Sequence, residues 1–466
     1  MIIPFGEFSP DLPDFNNPGA MVATNVRPFF TGYRPFPDMG SAVSDALTTR
    51  ARGAVSVVGD DSTVYTFAAD TTTLNLLQDQ VWVDASISGG YTIAAEEQIE
   101  FEFFNNKVIA ASISNQLQGL NVGVDTTFSN LVDGTLRPSA RHVAVIGQFV
   151  VIGNLEENSV RYPNRMRWSG IDDETDFDQS ASTLSDFQDI EGSHGWIQGL
   201  VGGQRQGIII FERGIFRMPF VGPPEVFAIL SVEKNRGALA ANSIVAWGQD
   251  VYFLDSDGFY KFNGEVAVPI GHGKVNQYFF DRWDATYKHR MVGTIDPVNS
   301  LVLWSYVSTS ATGTDPDPDN VIAFHWPSGR WSNVELDHEM LFTGLTAPNT
   351  LESMDSIAAS IENIPFSLDS IVYAGGTAQI AGFDTSHQMK FFDGSNLAAT
   401  LETGLISLHA PSRSFVKGFR PHVDGGTITG AVAGVERLND TASFGSAVSQ
   451  QTTGIIPVKN KARHQK

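Results

Sequence analysis

The stretch that most constrains the fold runs from Asn242 to Gly264, NSIVAWGQDVYFLDSDGFYKFNG. Three short runs, SIVAWG, VYFLDS and GFYKFNG, are parted by Gly248-Gln249-Asp250 and by Asp255-Ser256-Asp257-Gly258. Val251, Phe253 and, past the turn, Phe259 alternate with neighbours of other character, the two-residue period of a strand. An Asp-Gly turn between apolar runs signals a hairpin, because Gly tolerates the positive φ of tight hairpin turns. The stretch reads as an antiparallel meander closed by Asn263-Gly264. Its Trp247, Tyr252, Phe253, Phe259, Tyr260 and Phe262 are expected to be packing residues.

Similar units precede and follow it. Gly53 to Ala85 holds AVSVVG, STVYTFAA and VWVDA, and Gln98 to Leu131 holds IEFEFF and KVIAAS around Asn105-Asn106. Arg141 to Gly170 gives HVAVIG, FVVIGN and RMRWSG, and Trp196 to Val232 gives GIIIFERG, IFRMPFVG and VFAILSV. Met291 to Leu336 carries SLVLWSYVS and NVIAFHW, and Ile371 to Ser407 carries IVYAGG, AQIAGFD and QMKFFDG. A period of about 40 to 50 residues, with several short strands in each unit, is the pattern of a β-propeller. The expectation is an all-β chain with a propeller of six or seven blades over residues 51–407. Residues 1–50 form an extended Pro/Phe-rich segment and 408–466 a β segment with a basic tail, the two chain ends building an additional β-rich platform. Phe29, Phe30, Tyr33 and Phe36 are the expected anchors of the first segment, whose prolines forbid long helices. Glu174 to Ile190 and Gly273 to Tyr287 are the best helical stretches.

Composition narrows the chemistry. With no cysteine, disulfides, thiolate metal sites and cysteine nucleophiles are excluded. No apolar run reaches the length of a membrane-spanning helix, and the first residues carry no basic region followed by an apolar core, so neither a span nor a signal peptide is expected. The net charge is −22, against the basic footprint of a surface that grips nucleic acid. It is unevenly spread: residues 404–466 hold eight Lys/Arg and three acids, +5, which leaves −27 for the rest. The final KNKARHQK reads either as a frayed solvated end or as a docking tail for an acidic partner, through Lys459, Lys461, Arg463 and Lys466.

Catalytic signatures are missing. Asp315, Asp317 and Asp319 suggest a calcium loop, but the positions where an EF-hand needs Gly and Glu hold Asn320 and Trp326, so an exposed loop is the expectation. The histidines show no HxxxH or HExxH spacing. Gly192-Ser193-His194-Gly195 is not a nucleophile elbow, and Gly271-His272-Gly273-Lys274 lacks the first glycine and the Ser/Thr of a phosphate loop. Asp172-Asp173 and Glu156-Glu157 are carboxylate pairs of the kind an acidic chain forms by chance. The reading is of a non-enzymatic chain without metal or cofactor.

From Trp168 to Gly264 the order of features is RMRWSG, an acidic stretch, GWIQGLVGGQRQGIIIFERGIFRMPFVGPPEVFAILSV, Gly237, and then the opening meander. With the N-terminal NVRPFFTGYRPFPDM, this resembles the tail nozzle (tail tubular, packaged-DNA stabilisation) proteins of short-tailed bacteriophages. The resemblance covers roughly half the chain and rests on order and spacing. It implies a virion protein, assembled in the bacterial host's cytoplasm and placed in the tail as a ring of six copies. Such a ring would meet the adaptor or portal and the fibres or spikes, retain the packaged genomic DNA, and let it pass through a channel on infection. Acidic walls would let phosphates slide by, since phosphate contacts create strong, salt-dependent binding. The alternative is a propeller that binds or hydrolyses glycans.

Overall fold

Seven sheets stand around one axis in the computed structural model, which describes residues 2–132, 134–346, 375–409 and 412–466. Blades one to five follow in chain order: Gly53–Val58 to Val81–Asp84, Glu100–Phe104 to Ser129–Asn130, Ser139–Ile146 to Asp186–Asp189, Ile197–Val201 to Leu230–Lys234, and Val245–Trp247 to Ala267–Pro269. Blade six runs from Val292–Asp296 to Arg330–Glu335, and blade seven begins with Met340–Leu345. The first strand of each blade lies innermost, and these strands neighbour one another round the ring, the step from blade four to blade five passing through the turn Ala241–Ser243. The protein is a seven-bladed β-propeller.

Ring closure explains where the sequence division at residue 50 goes wrong. Blade seven has three strands from the C-terminal side, Met340–Leu345, Ala378–Phe383 and Gln388–Phe391, and its fourth is Ala42–Ala46 from the N-terminal segment. Completing the last blade with a strand from the other chain end ties the ring shut and leaves only a short outer edge. Ser44 sits at the seam: its hydroxyl accepts from Met389 N and from Trp82 Nε1 of blade one, both at 3.0 Å. Of the expected IVYAGG strand, Ile371 to Ala374 lie outside the described residues, and Gly375 and Gly376 are not in a strand.

Each interface between blades is filled by its own apolar cluster, seven clusters for seven interfaces. A strand therefore buries both faces, which explains the dense aromatics of the opening meander. Val251, Phe253, Tyr260 and Phe262 face blade four, whereas Tyr252, Leu254 and Phe259 face blade six. Phe259 is thus on the opposite side from Val251 and Phe253. Gly258 turns the hairpin at φ 141°, and a Cβ there would run into the Asn276 amide, which donates to Asp257 O at 2.9 Å. Trp247 is not a core residue: it is 44% exposed and meets Trp326, ring centroids 5.6 Å apart.

One of the two expected helices exists. Asn276–Arg282 is a helix, with Phe279 and Trp283 packed among Phe259, Trp304 and Trp331. Its first turn is capped from afar by Asp11, whose carboxylate accepts from Gln277 N and Tyr278 N at 2.9 and 2.8 Å. Glu174 to Ile190 is instead a run of turns ending in the strand Asp186–Asp189. Its short polar side chains compete for the backbone: Asp173 accepts from Thr175 N and Asp176 from Asp178 N.

The chain ends meet beside blade six. Ala20–Thr24 pairs with Arg330–Glu335 in parallel and with Thr400–Thr403 antiparallel, so Thr400–Thr403 belongs to this edge. The C-terminal residues form three two-stranded sheets, led by Ser414–Phe419 with Ile456–Ala462. Phe8 and Phe36 are the buried anchors of the first segment, and Tyr33 is half-buried. Phe29 and Phe30 stay at the surface.

Candidate functional site

The C-terminal strand Ile456–Ala462 presents a basic ridge. Strand alternation turns Ile456 and Ala462 inward and leaves Lys459 and Lys461 exposed, with Arg463 following on the same side. None of the three has an ion-pair partner among the described residues. Lys466 is not brought to them. Its Nζ lies 3.1 Å from Asp14 and 2.8 Å from Glu402, and these two carboxylates hold its ammonium above the usual lysine range despite its burial. Nor is this end frayed: Gln465 pairs with Gly434, Ile406 bonds it through both backbone groups, and the His464 ring meets Phe15.

Polar groups sit between the innermost strands of blades two and three. Phe101 and Phe103 face blade one, so Glu100 and Glu102 point the other way, as Phe104 does. Glu100 meets His142 Nδ1 at 2.7 Å and accepts from Val143 N at 3.1 Å. Among the described residues no side chain pairs with Glu102, and only the Phe103 backbone favours its charged form. Burial, with the nearby Glu100 charge, pushes its carboxyl up to about 7. The sequence signal was available in EFEFF: two acids at alternate positions of a strand whose other positions are apolar.

The acidic loop is braced rather than open. Asp315 and Asp317 pair with Arg290 and Arg50, and the Asp319 carboxylate accepts from Ser308 N at 2.8 Å and Ser308 Oγ at 2.6 Å. Burial pushes Asp317 up even beside Arg50. Asp315 is exposed, as expected, but Asp317 and Asp319 are partly buried because the arginines and Ser308 draw the loop in. No group of three His, Asp or Glu among the described residues could hold a metal ion.

The other carboxylate pairs are structural. Glu157 is clamped by Arg165 and Arg167 at 2.8 and 2.6 Å, and Asp172 accepts from Gln148 Nε2 at 2.7 Å. One pair has the contact of a nucleophile and its base: Ser305 Oγ donates to His338 Nε2 at 2.6 Å. Both residues are fully buried, and His338 Nδ1 donates to Leu336 O at 2.8 Å rather than to a carboxylate. Burial pulls this imidazole down to about 4, so it is a neutral bracket inside blade six.

Fold and surface together define a seven-bladed propeller whose terminal strands carry an exposed basic ridge against an acidic body. No protein-family model matches the sequence, and no curated protein matches it. Among solved structures, the crystal structure of the computationally designed Ika8 protein (crystal packing No. 1 in P63) is similar at 9% identity and a TM-score of 0.39. That match covers 75% of this chain and 99% of the designed one. No helix is long and apolar enough to cross a membrane among the described residues.

Proposed function

We propose that the chain is a structural component of a bacteriophage tail, a nozzle subunit that closes into a ring of six copies, the number the resemblance implies, around the DNA exit channel. The observation that carries this is the segregation of charge. Lys459, Lys461 and Arg463 stand exposed and unpaired among the described residues, in a segment of charge +5 attached to a body of −27. A ring that passes DNA needs walls that repel phosphate and a separate surface that holds its acidic neighbours, an adaptor or portal. The suturing of the two chain ends supports the same reading. Asp14, Glu402 and Lys466 lock the N- and C-terminal segments into one unit, a platform from which ring contacts could be made without disturbing the propeller. Fibre or spike proteins are the further expected neighbours, and the virion tail the expected location. Head-to-tail contacts between like subunits close into cyclic symmetry. The experiment is the native mass of the purified protein under assembly conditions. A closed oligomer is expected, and a strict monomer sinks the proposal.

A further inference from the structure

At the edge of blade six the hairpin of Val26–Pro28 and Tyr33–Pro35 overhangs the turn after Asp296, leaving a cleft of about 200 Å³. A water occupies ~30 Å³ in the liquid, so the space is that of a small group rather than a few solvent molecules. Arg27, Phe29, Phe30, Arg34, Asn299 and His325 are among its walls. Arg27 and Arg34 are direct cross-strand partners, so two like charges share one face of a two-stranded hairpin, a destabilising arrangement in a chain of net −22. Rule-breaking of this kind is expected where a surface is kept for a ligand.

The two arginines are held in place. The Asp296 carboxylate accepts from Asn299 Nδ2 at 2.7 Å, and Asn299 Oδ1 accepts in turn from Arg27. Arg27 Nε is buried with no hydrogen-bond partner among the described residues. The Arg34 guanidinium lies 4.3 Å over the Phe29 ring, and no carboxylate pairs with it among the described residues. Phe30 is 57% exposed and meets the His325 ring edge-on at 5.2 Å. Burial and the nearby Arg330 charge lower His325, which leaves it neutral at pH 7. Three guanidiniums, Arg27, Arg34 and the nearby Arg330, are offset only by the Asp296 charge, so a positive surplus lies beside an open aromatic ring.

We propose that this cleft binds a carboxylate carried on a ring, the carboxylate on Arg34 and Arg27 and the ring against Phe30. Guanidiniums match the planar carboxylate, and the exposed Phe30 ring adds an apolar contact that inorganic phosphate cannot use. Aromatic acids and acidic sugars such as uronic acids share this chemistry. The site lies on the N-terminal hairpin, apart from the basic ridge.

The test is ligand-observed NMR with benzoate, glucuronate and inorganic phosphate on the full chain. Benzoate or glucuronate is expected to bind with a dissociation constant of about 1 mM or tighter. The tighter of the two identifies the source as aromatic acid or acidic sugar. In R34Q that affinity falls by roughly ten- to a hundredfold, while the melting temperature holds or rises because the like-charge pair is relieved. F30A weakens benzoate but leaves acetate unchanged. No binding by either ring acid, equal binding by R34Q, or phosphate binding tighter than both overturns the proposal.

Discussion

Replacing Glu102 by Gln isolates the strain of an unpartnered acid between blades two and three. Its folded-state value of about 7 stands against an ordinary 4.5. Each unit corresponds to ~1.4 kcal/mol, so the carboxylate form costs the fold about 3 kcal/mol. The folded protein holds this proton more tightly than the unfolded chain does. Below pH 4.5 both states are protonated and the contribution is fully present. As pH rises from 4.5 through 7 the unfolded chain gives up its proton first, and stability is lost. Above 7 the loss is complete and constant.

Glutamine has nearly the same shape and cannot ionise. E102Q and the parent should therefore unfold together near pH 4.5 and part progressively up to pH 8. An unfolding entropy of ~2 cal/mol/K per residue gives ~1 kcal/mol/K for the 466-residue chain, so the gap at pH 8 is roughly 3 °C in favour of the variant. Thermal unfolding followed by circular dichroism at pH 4.5, 6, 7 and 8 measures it. A gap independent of pH, or a parent more stable than E102Q at pH 8, refutes the reasoning.

Two further perturbations separate the ridge from the seams. Lys466→Ala removes the cation that joins Asp14 to Glu402, and limited proteolysis should then cut the first twenty or so residues faster than in the parent, whereas K459E/K461E/R463E leaves that cleavage unchanged but weakens docking of an acidic adaptor, and the more so at low salt. Ser44→Ala strips the acceptor from Met389 N and Trp82 Nε1 where the ring closes, which should lower unfolding stability by about 1–3 kcal/mol in denaturant titrations.

Much of the propeller was legible because each strand is short, regular and ended by a turn. All seven blades contain runs visible in the chain, blade seven through AQIAGFD and QMKFFDG. Only its closing strand, AVSDA, is hidden, because it is polar in appearance and its partner strand, Gln388–Phe391, lies near the other end of the chain. Glu174 to Ile190 was misread as helical since period alone does not register the local hydrogen bonds of Asp173 and Asp176. Of the four basic residues, alternation in Ile456–Ala462 sorts Lys459 and Lys461 outward, but no local pattern reveals that Lys466 reaches back to Asp14. Glu102 and the Arg27–Arg34 pair show the same limit: their charges are visible in sequence, and their isolation depends on which strands face them.

The proposed function requires this propeller to assemble into a ring around a DNA channel. Electron-microscope images of the purified protein, taken with its native mass under assembly conditions, test that most directly. A closed six-fold ring with an open centre is the predicted result. Solitary propellers at every concentration and salt would contradict it.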